Sequence, residues 1–184
     1  MQKNSKKKVK LYDKEFVSFI SNDEIVHSIK ELASKMQEEL VGEEIVALCV
    51  LNGCFMFAGE LFKHFEIPCT VSFVKLASYE GTESTGNVKQ IMGLNEQIKG
   101  KTVIIVEDIV DSGETIVKLV ELLKAQNPKQ IKVATMLLKP EAYKKDIHID
   151  YVALTIPNKF VVGHGLDYDG LGRNLKDIYQ IITN

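Results

Sequence analysis

The sequence predicts an α/β fold built on a mainly parallel sheet. Three observations predict it. Short β-rich runs at 45–51, 71–76, 103–106, 131–138 and 151–155 read as strands, and the continuously apolar one at 45–51 as a strand covered on both faces. Stretches with apolar residues at helical spacing alternate with these runs, the signature of parallel strands joined by helices. The 184 residues, 45% hydrophobic and 26% charged, suffice for one domain with a sizeable core.

The elements follow in order. The opening segment carries Lys3, Lys6, Lys7, Lys8 and Lys10 with no apolar run behind them. It reads as a solvated, frayed terminus, with a nucleic-acid arm as the other reading, and not as a secretory signal. Ser21-Asn22-Asp23-Glu24 has the form of a capping box, Ile25, Ile29, Leu32, Met36 and Leu40 follow at helical spacing, and Gly42 can close that helix. The strand at 45–51 runs into the turn signal Asn52-Gly53, and 55–65 reads as the next helix. Residues 77–89, ASYEGTESTGNVK, are small and polar, with no apolar face. Three readings fit them: disorder, a mobile lid, or a plain hairpin connection. The strand at 103–106 leads into an acid-rich turn, after which Ile116, Leu119, Val120 and Leu123 make one helical face. Ligands of such sheets bind beyond the carboxyl ends of the strands. That places Asn52-Gly53, the stretch from Glu107 to Thr115, and Lys139 on one rim.

Composition excludes several function classes. A net charge of −2 and a pI of about 6.1 give no general attraction to nucleic acid or to anionic membranes. No run approaches the roughly 18 apolar residues of a membrane span. Cys49, Cys54 and Cys69 are odd in number and form no C-x-x-C pair, which suits a reducing cytoplasm and argues against a disulfide framework or zinc site. Cys54 is a nucleophile or a packing residue; no local histidine motif supports the first. His27, His64, His148 and His164 are scattered and read as ligands to nothing.

The stretch VEDIVDSGET at 106–115 carries the chemistry. Glu107, Asp108 and Asp111 repel one another and are costly to desolvate, so solvent, a metal ion or a sugar must compensate them. Asp111-Ser112-Gly113-Glu114-Thr115 lies between a strand and a helix, where helix N–H groups lack partners, Gly113 permits a tight turn, and hydroxyls add donors. This suits a phosphate. The bland reading is that Asp111 or Ser112 merely caps the helix, which leaves Glu107-Asp108 unexplained. Adjacent carboxylates at a strand end suit Mg2+ or a vicinal diol, and a ribose 5-phosphate satisfies both halves of the stretch. The P-loop pattern is absent, and Gly163-His164-Gly165 lacks the third glycine of G-x-G-x-x-G.

VEDIVDSGET resembles the signature of the type I phosphoribosyltransferases. LNGCFMFAGEL is similar to the pyrophosphate loop of their hypoxanthine-guanine branch, SYEGTESTGNVK to its flexible catalytic loop, and KFVVGHGLDYDGLGRNL to its purine-binding segment. The resemblance runs from roughly the first helix to the last residues. It implies a single domain over 1–184 of the type I phosphoribosyltransferase fold. A small hood would come mainly from the N-terminal segment and 155–184, with a mobile loop at about 77–89. It implies Mg2+ as cofactor, 5-phosphoribosyl 1-pyrophosphate with hypoxanthine or guanine as substrates, and a homodimer or homotetramer. Glu107 and Asp108 would then bind the ribose hydroxyls, directly or through Mg2+. Asp111 would act as general acid/base near N7 of the purine, and Ser112, Gly113, Glu114 and Thr115 would cradle the 5-phosphate. Asn52, Gly53 and Arg173 would hold pyrophosphate, while Ser78 and Tyr79 would close over the reacting centre. Lys139 would donate to the 6-oxo group, Phe160 would stack on the base, and Val161 would offer backbone hydrogen bonds. Asp167 would help place a second Mg2+ and itself sit near the exocyclic position of the purine.

Two positions depart from the family pattern. Asn52 stands where lysine is common; a backbone contact through a cis peptide survives that change, a direct lysine charge does not. His164 stands where tyrosine is common. A xanthine-accepting enzyme and a non-catalytic sensor of the activated sugar are the alternative functions, and a pyrimidine enzyme fits Lys139 and Phe160 less well.

Overall fold

In a computed structural model, residues 7–77, 90–92 and 94–182 are described. The elements run β1 (Lys8–Leu11), β2 (Lys14–Ile20), α1 (Asn22–Glu39), β3 (Ile45–Val50), α2 (Phe55–His64), β4 (Cys69–Ala77), β5 (Gln90–Met92), β6 (Thr102–Val110), α3 (Glu114–Lys124), β7 (Gln130–Leu138), β8 (Tyr151–Thr155), β9 (Val161–Val162) and β10 (Ile178–Ile181).

The larger sheet has the order β5-β4-β3-β6-β7-β8, with β4, β3, β6, β7 and β8 parallel and β5 antiparallel at the edge. Its central strands are buried on both faces, which is why they read as unbroken apolar runs. Ala47, Cys49, Ile104, Val106, Ala134 and Met136 face the layer containing Ile25, Ile29, Leu32, Phe57 and Leu61 of α1 and α2. Val46, Leu48, Val103, Ile105 and Val133 face the opposite layer, with Ile116, Leu119, Val120 and Leu123 of α3. The period-2 alternation of each strand thus separates the two cores. α1 begins as the capping box requires, with the Ser21 Oγ accepting from the Glu24 N–H at 3.3 Å.

A second, antiparallel sheet has the order β1-β2-β10-β9. It corrects the reading of the terminus as frayed: from Lys8 onward the chain is a strand, and Lys10 pairs with Glu15 across the turn. The lysines hid it, because an edge strand of alternating exposed and half-buried residues carries little apolar signal. Asn22 N–H donates to Asp177 Oδ1 at 2.9 Å, tying this sheet to the start of α1. A second correction concerns β6. It runs through Val110, four residues beyond the apolar run, so Glu107 and Asp108 lie within the strand rather than after it. Ser78 and Tyr79 lie outside the described residues, as does most of 77–89. No helix among the described residues is long and apolar enough to cross a membrane.

Candidate active site

The parallel strands deliver the site residues to one rim. β3 ends at Val50, and the Leu51–Asn52 peptide that follows is cis. Gly53 then meets Asp108: a Cβ on Gly53 would lie 1.6 Å from Asp108 Oδ2. Only glycine lets the two segments approach this closely. Asp108 is buried, and its Oδ1 accepts from the Ile109 N–H at 2.9 Å. A third segment arrives from the far end of the chain. A Cβ on Gly165 (φ +102°) would lie 2.0 Å from Gly53 O. Arg173 Nη1 donates to Gly165 O at 2.8 Å, and Arg173 Nη2 pairs with Asp167 Oδ1 at 2.6 Å. The structure therefore joins the Asn52-Gly53 loop, Asp108, and the Asp167–Arg173 pair through the approach of Gly53 to Asp108, that of Gly165 to Gly53 O, and the Arg173–Gly165 hydrogen bond.

The turn between β6 and α3 forms the next part. Gly113 is the N-cap residue, at φ +80°, and no side chain caps the helix. This removes the capping reading of Asp111 and Ser112 and leaves the first-turn N–H groups available to a ligand. Residues 109–116 with Glu107 line a small cavity of about 90 Å³. The ring of Tyr143 covers Gly113 so closely that a Cβ there would lie 2.3 Å from it, and the Tyr143 hydroxyl donates to Ile147 O. The Glu114 side chain turns away to Lys145, with Nζ 2.5 Å from Oε1.

The acids within β6 are poorly compensated. Burial pushes the Glu107 carboxyl well above the ordinary carboxylate value, with the neighbouring Asp108 adding to it. Glu107 Oε2 is sealed from solvent and has no hydrogen-bond partner. Burial raises Asp108 as well, opposed by its bond from Ile109. Two acids side by side, one with an orphaned oxygen, suit a cation or sugar hydroxyls. Among the described residues no group of three or more His, Cys, Asp or Glu side chains converges as a metal site, so an ion here takes most of its ligands from elsewhere. Asp167 is paired with Arg173, whose charge also acts on Asp108. Cys54 is fully buried, and its thiol is pushed up by a hydrogen bond with Cys49 and by burial. That is a packing environment and not that of a nucleophile.

Across the rim, Lys139 is 6% exposed and its Nζ lies 2.5 Å from Asp111 Oδ2. Phe160 is 46% exposed, with its ring 6.0 Å from Tyr168 edge-to-face and 6.3 Å from Phe16. Val161 follows it in β9, paired with Gln180. His164 is buried at φ +48°; its Nδ1 donates to Lys176 O at 3.1 Å, and burial holds its imidazole below the ordinary value. Sequence reasoning missed Gly165, Tyr143, Lys145 and Tyr168. Gly163-His164-Gly165 offered a signal, since paired glycines often mark close backbone approach. Tyr143 and Lys145 lay in a polar stretch with no pattern.

The chain matches the phosphoribosyl transferase domain family over residues 20–169. It belongs to the phosphoribosyltransferase family. A hypoxanthine-guanine phosphoribosyltransferase of Streptococcus thermophilus is 39% identical over 156 residues, covering 84% of this chain and 87% of the relative. That of Sus scrofa is 39% identical over 173 residues, covering 89% and 79%. A crystal structure of a Bacillus anthracis hypoxanthine-guanine phosphoribosyltransferase, with a HEPES molecule in its active site, superposes with a TM-score of 0.78 at 38% identity over 90% of this chain and 96% of that one. A Staphylococcus aureus hypoxanthine phosphoribosyltransferase gives 0.79 at 34%, over 90% of each chain. The phosphoribosyltransferase is thus an enzyme with the α/β fold of this family, and the rim described above lies where such sheets bind ligands.

Proposed function

We propose that this phosphoribosyltransferase serves purine salvage in the cytoplasm. It transfers the 5-phosphoribosyl group of 5-phosphoribosyl 1-pyrophosphate to N9 of hypoxanthine or guanine, giving IMP or GMP and pyrophosphate. The observation that carries this reading is the uncapped turn at Gly113 beside the buried, uncompensated pair Glu107 and Asp108. Ser112, Gly113, Glu114 and Thr115 offer backbone N–H groups and hydroxyls to the 5-phosphate. Glu107 and Asp108 accept from the ribose hydroxyls. The same acids fit Mg2+, with Asp167 beside a second ion, because Glu107 Oε2 is a buried carboxyl oxygen without a partner and a cation there would favour its ionised form. Mg2+ bound there supplies positive charge to the departing pyrophosphate.

The chain's own residues do the rest. Asn52 and Gly53 present backbone to the pyrophosphate, and Arg173 adds a guanidinium once Asp167 shares it. Lys139 has three N–H donors and no acceptor. It can hold Asp111 and a 6-oxo group together, whereas the 6-amino group of adenine offers it only a donor. Asp111, held at the base by Lys139, takes up or returns the purine proton. Phe160 presents an open ring face for stacking, and Val161 its backbone. Val71 and Phe73, exposed on one face of β4, support a homodimer or homotetramer built through that surface.

A steady-state assay with the activated sugar, Mg2+ and each of hypoxanthine, guanine, xanthine and adenine tests the reading, beside Asp111→Ala. Turnover of hypoxanthine and guanine but not adenine, lowered about 100-fold or more in the variant, is the expected result. Tight binding of the sugar without turnover of any base would leave a sensor in place of an enzyme.

A further inference from the structure

Glu114 sets a carboxylate on the first residue of α3, at the edge of the cradle read above as the 5-phosphate site. A phosphate dianion beside a carboxylate is repelled. The structure supplies the remedy from a separate segment, the connection between β7 and β8. Lys145 of that connection lies with Nζ 2.5 Å from Glu114 Oε1. Its stem crosses the turn itself, because a Cβ on Gly113 would lie 3.2 Å from Lys145 Cγ. Tyr143 fixes the approach, with its ring over Gly113 and its hydroxyl on Ile147 O. The same connection opens with Lys139, 2.5 Å from Asp111. One segment therefore meets both carboxylates of the turn with a lysine each.

We propose that Lys145 sets the affinity of the cradle for phosphate by cancelling the charge of Glu114. It is a positioning residue, acting through Glu114 on the field at the ligand. The inference rests on the phosphate reading of the cradle given above. Glu114 is held below its ordinary value chiefly by the hydrogen bond from Lys145, consistent with a tight pair. Both side chains are partly open to solvent, 34% and 58% exposed. Such pairs contribute little to stability, so their loss reads on ligand binding and not on the fold.

The test is a charge cycle. Lys145→Gln, Glu114→Gln and the double variant are compared by KM for 5-phosphoribosyl 1-pyrophosphate. A second measurement gives the dissociation constant for inorganic phosphate by calorimetry. A unit charge roughly 7 Å from a dianion in an aqueous dielectric changes affinity about seven-fold before screening by salt. Lys145→Gln is expected to raise both constants by about that factor, Glu114→Gln to lower them, and the double variant to return within about two-fold of the parent. The differences shrink when ionic strength rises from about 0.05 M to about 0.3 M, and KM for the purine does not follow the charge. A merely structural contact would move both single variants in the same direction and would not respond to salt. That outcome, or phosphate constants indifferent to the charges, overturns the proposal. If no purine is turned over but phosphate binding follows the cycle, the inference stands and the salvage reading falls. If purines are turned over but the constants ignore the charges, the reverse holds.

Discussion

Gly53→Ala puts the close approach of the Asn52-Gly53 loop to Asp108 to a quantitative test. The added Cβ would lie 1.6 Å from Asp108 Oδ2, 2.5 Å from its Cγ and 3.1 Å from Oδ1, where ordinary contact begins near 3.4 Å. The shortfall to the nearest oxygen is about 1.8 Å. Asp108 has little room to yield, since it is 7% exposed and held by the Ile109 N–H. Nor can the loop retreat freely, because Gly53 O already presses on Gly165. Overpacking of this kind costs about 1–3 kcal/mol. For a domain of this size that lowers Tm by roughly 2–12 °C. The larger effect falls on catalysis, since displacing reacting groups by about 1 Å costs on the order of 100-fold. The assay is kcat/KM for 5-phosphoribosyl 1-pyrophosphate beside a thermal melt, with Gly59→Ala as control. Gly59 lies in α2, and a Cβ there meets nothing within 4 Å, so that variant is expected to keep activity and to gain up to about 1 kcal/mol from helix propensity. A Gly53→Ala enzyme with parental kcat/KM and Tm would refute the argument that Gly53 is dictated by Asp108.

Glu107→Gln replaces an orphaned buried carboxylate by a neutral group, so the Mg2+-free protein is expected to melt a few degrees higher, with the thermal shift caused by Mg2+ reduced; differential scanning fluorimetry with and without the ion checks both. Burial holds His164 below its ordinary 6.5, with Glu60 opposing and Lys63 reinforcing the shift. The unfolded chain therefore binds the proton first, and stability is lost as pH falls from about 6.5 through the folded value. His164→Asn is expected to flatten the decline of Tm between about pH 7 and 5, with little difference above pH 7. Tyr168→Phe removes the hydrogen bond to Asp13 Oδ1 (2.8 Å) from the ring that supports Phe160, and is expected to raise KM for the purine about three-fold while KM for the sugar holds.

Much of the larger sheet was legible because its physics is local. A strand buried on both faces is apolar throughout, as β3 is, and β3, β7 and β8 fall within a residue of the β-rich runs that announced them. β6 is the instructive exception. Its pairing with β7 continues past the apolar run to Ile109 and Val110, so the ladder is carried by backbone bonds through two acids that no propensity favours in a strand. The small sheet was hidden for a different reason. β2 and β10 pair across the whole chain, and β9 has two residues, too few for any periodicity to register. Within the site, the chemistry-bearing side chains stood out by type and spacing. What holds them together did not. Gly165 against Gly53, Lys145 against Glu114 and Tyr143 over Gly113 are meetings of residues distant in sequence, and no local pattern encodes such a meeting.

The smaller sheet has a consequence for the order in which the molecule comes into being. Its strands come from the first twenty described positions and from the stretch beyond Phe160, whereas the larger sheet is complete once Thr155 is in place. On a ribosome the phosphate turn and the acids of β6 therefore have all their sheet neighbours while Phe160, Asp167 and Arg173 are still unmade. Until β10 arrives, β2 has β1 alone as its partner, and the Phe16 ring has neither Phe160 nor Tyr168 against it. A nascent chain therefore carries the Gly113 turn, Asp111 and Lys139 before it carries the aromatic cluster of Phe16, Phe160 and Tyr168. Val161, Leu166 and Ile178 of that later stretch also belong to the core beneath α1 and α2, so one face of the larger sheet stays incompletely covered until they are made.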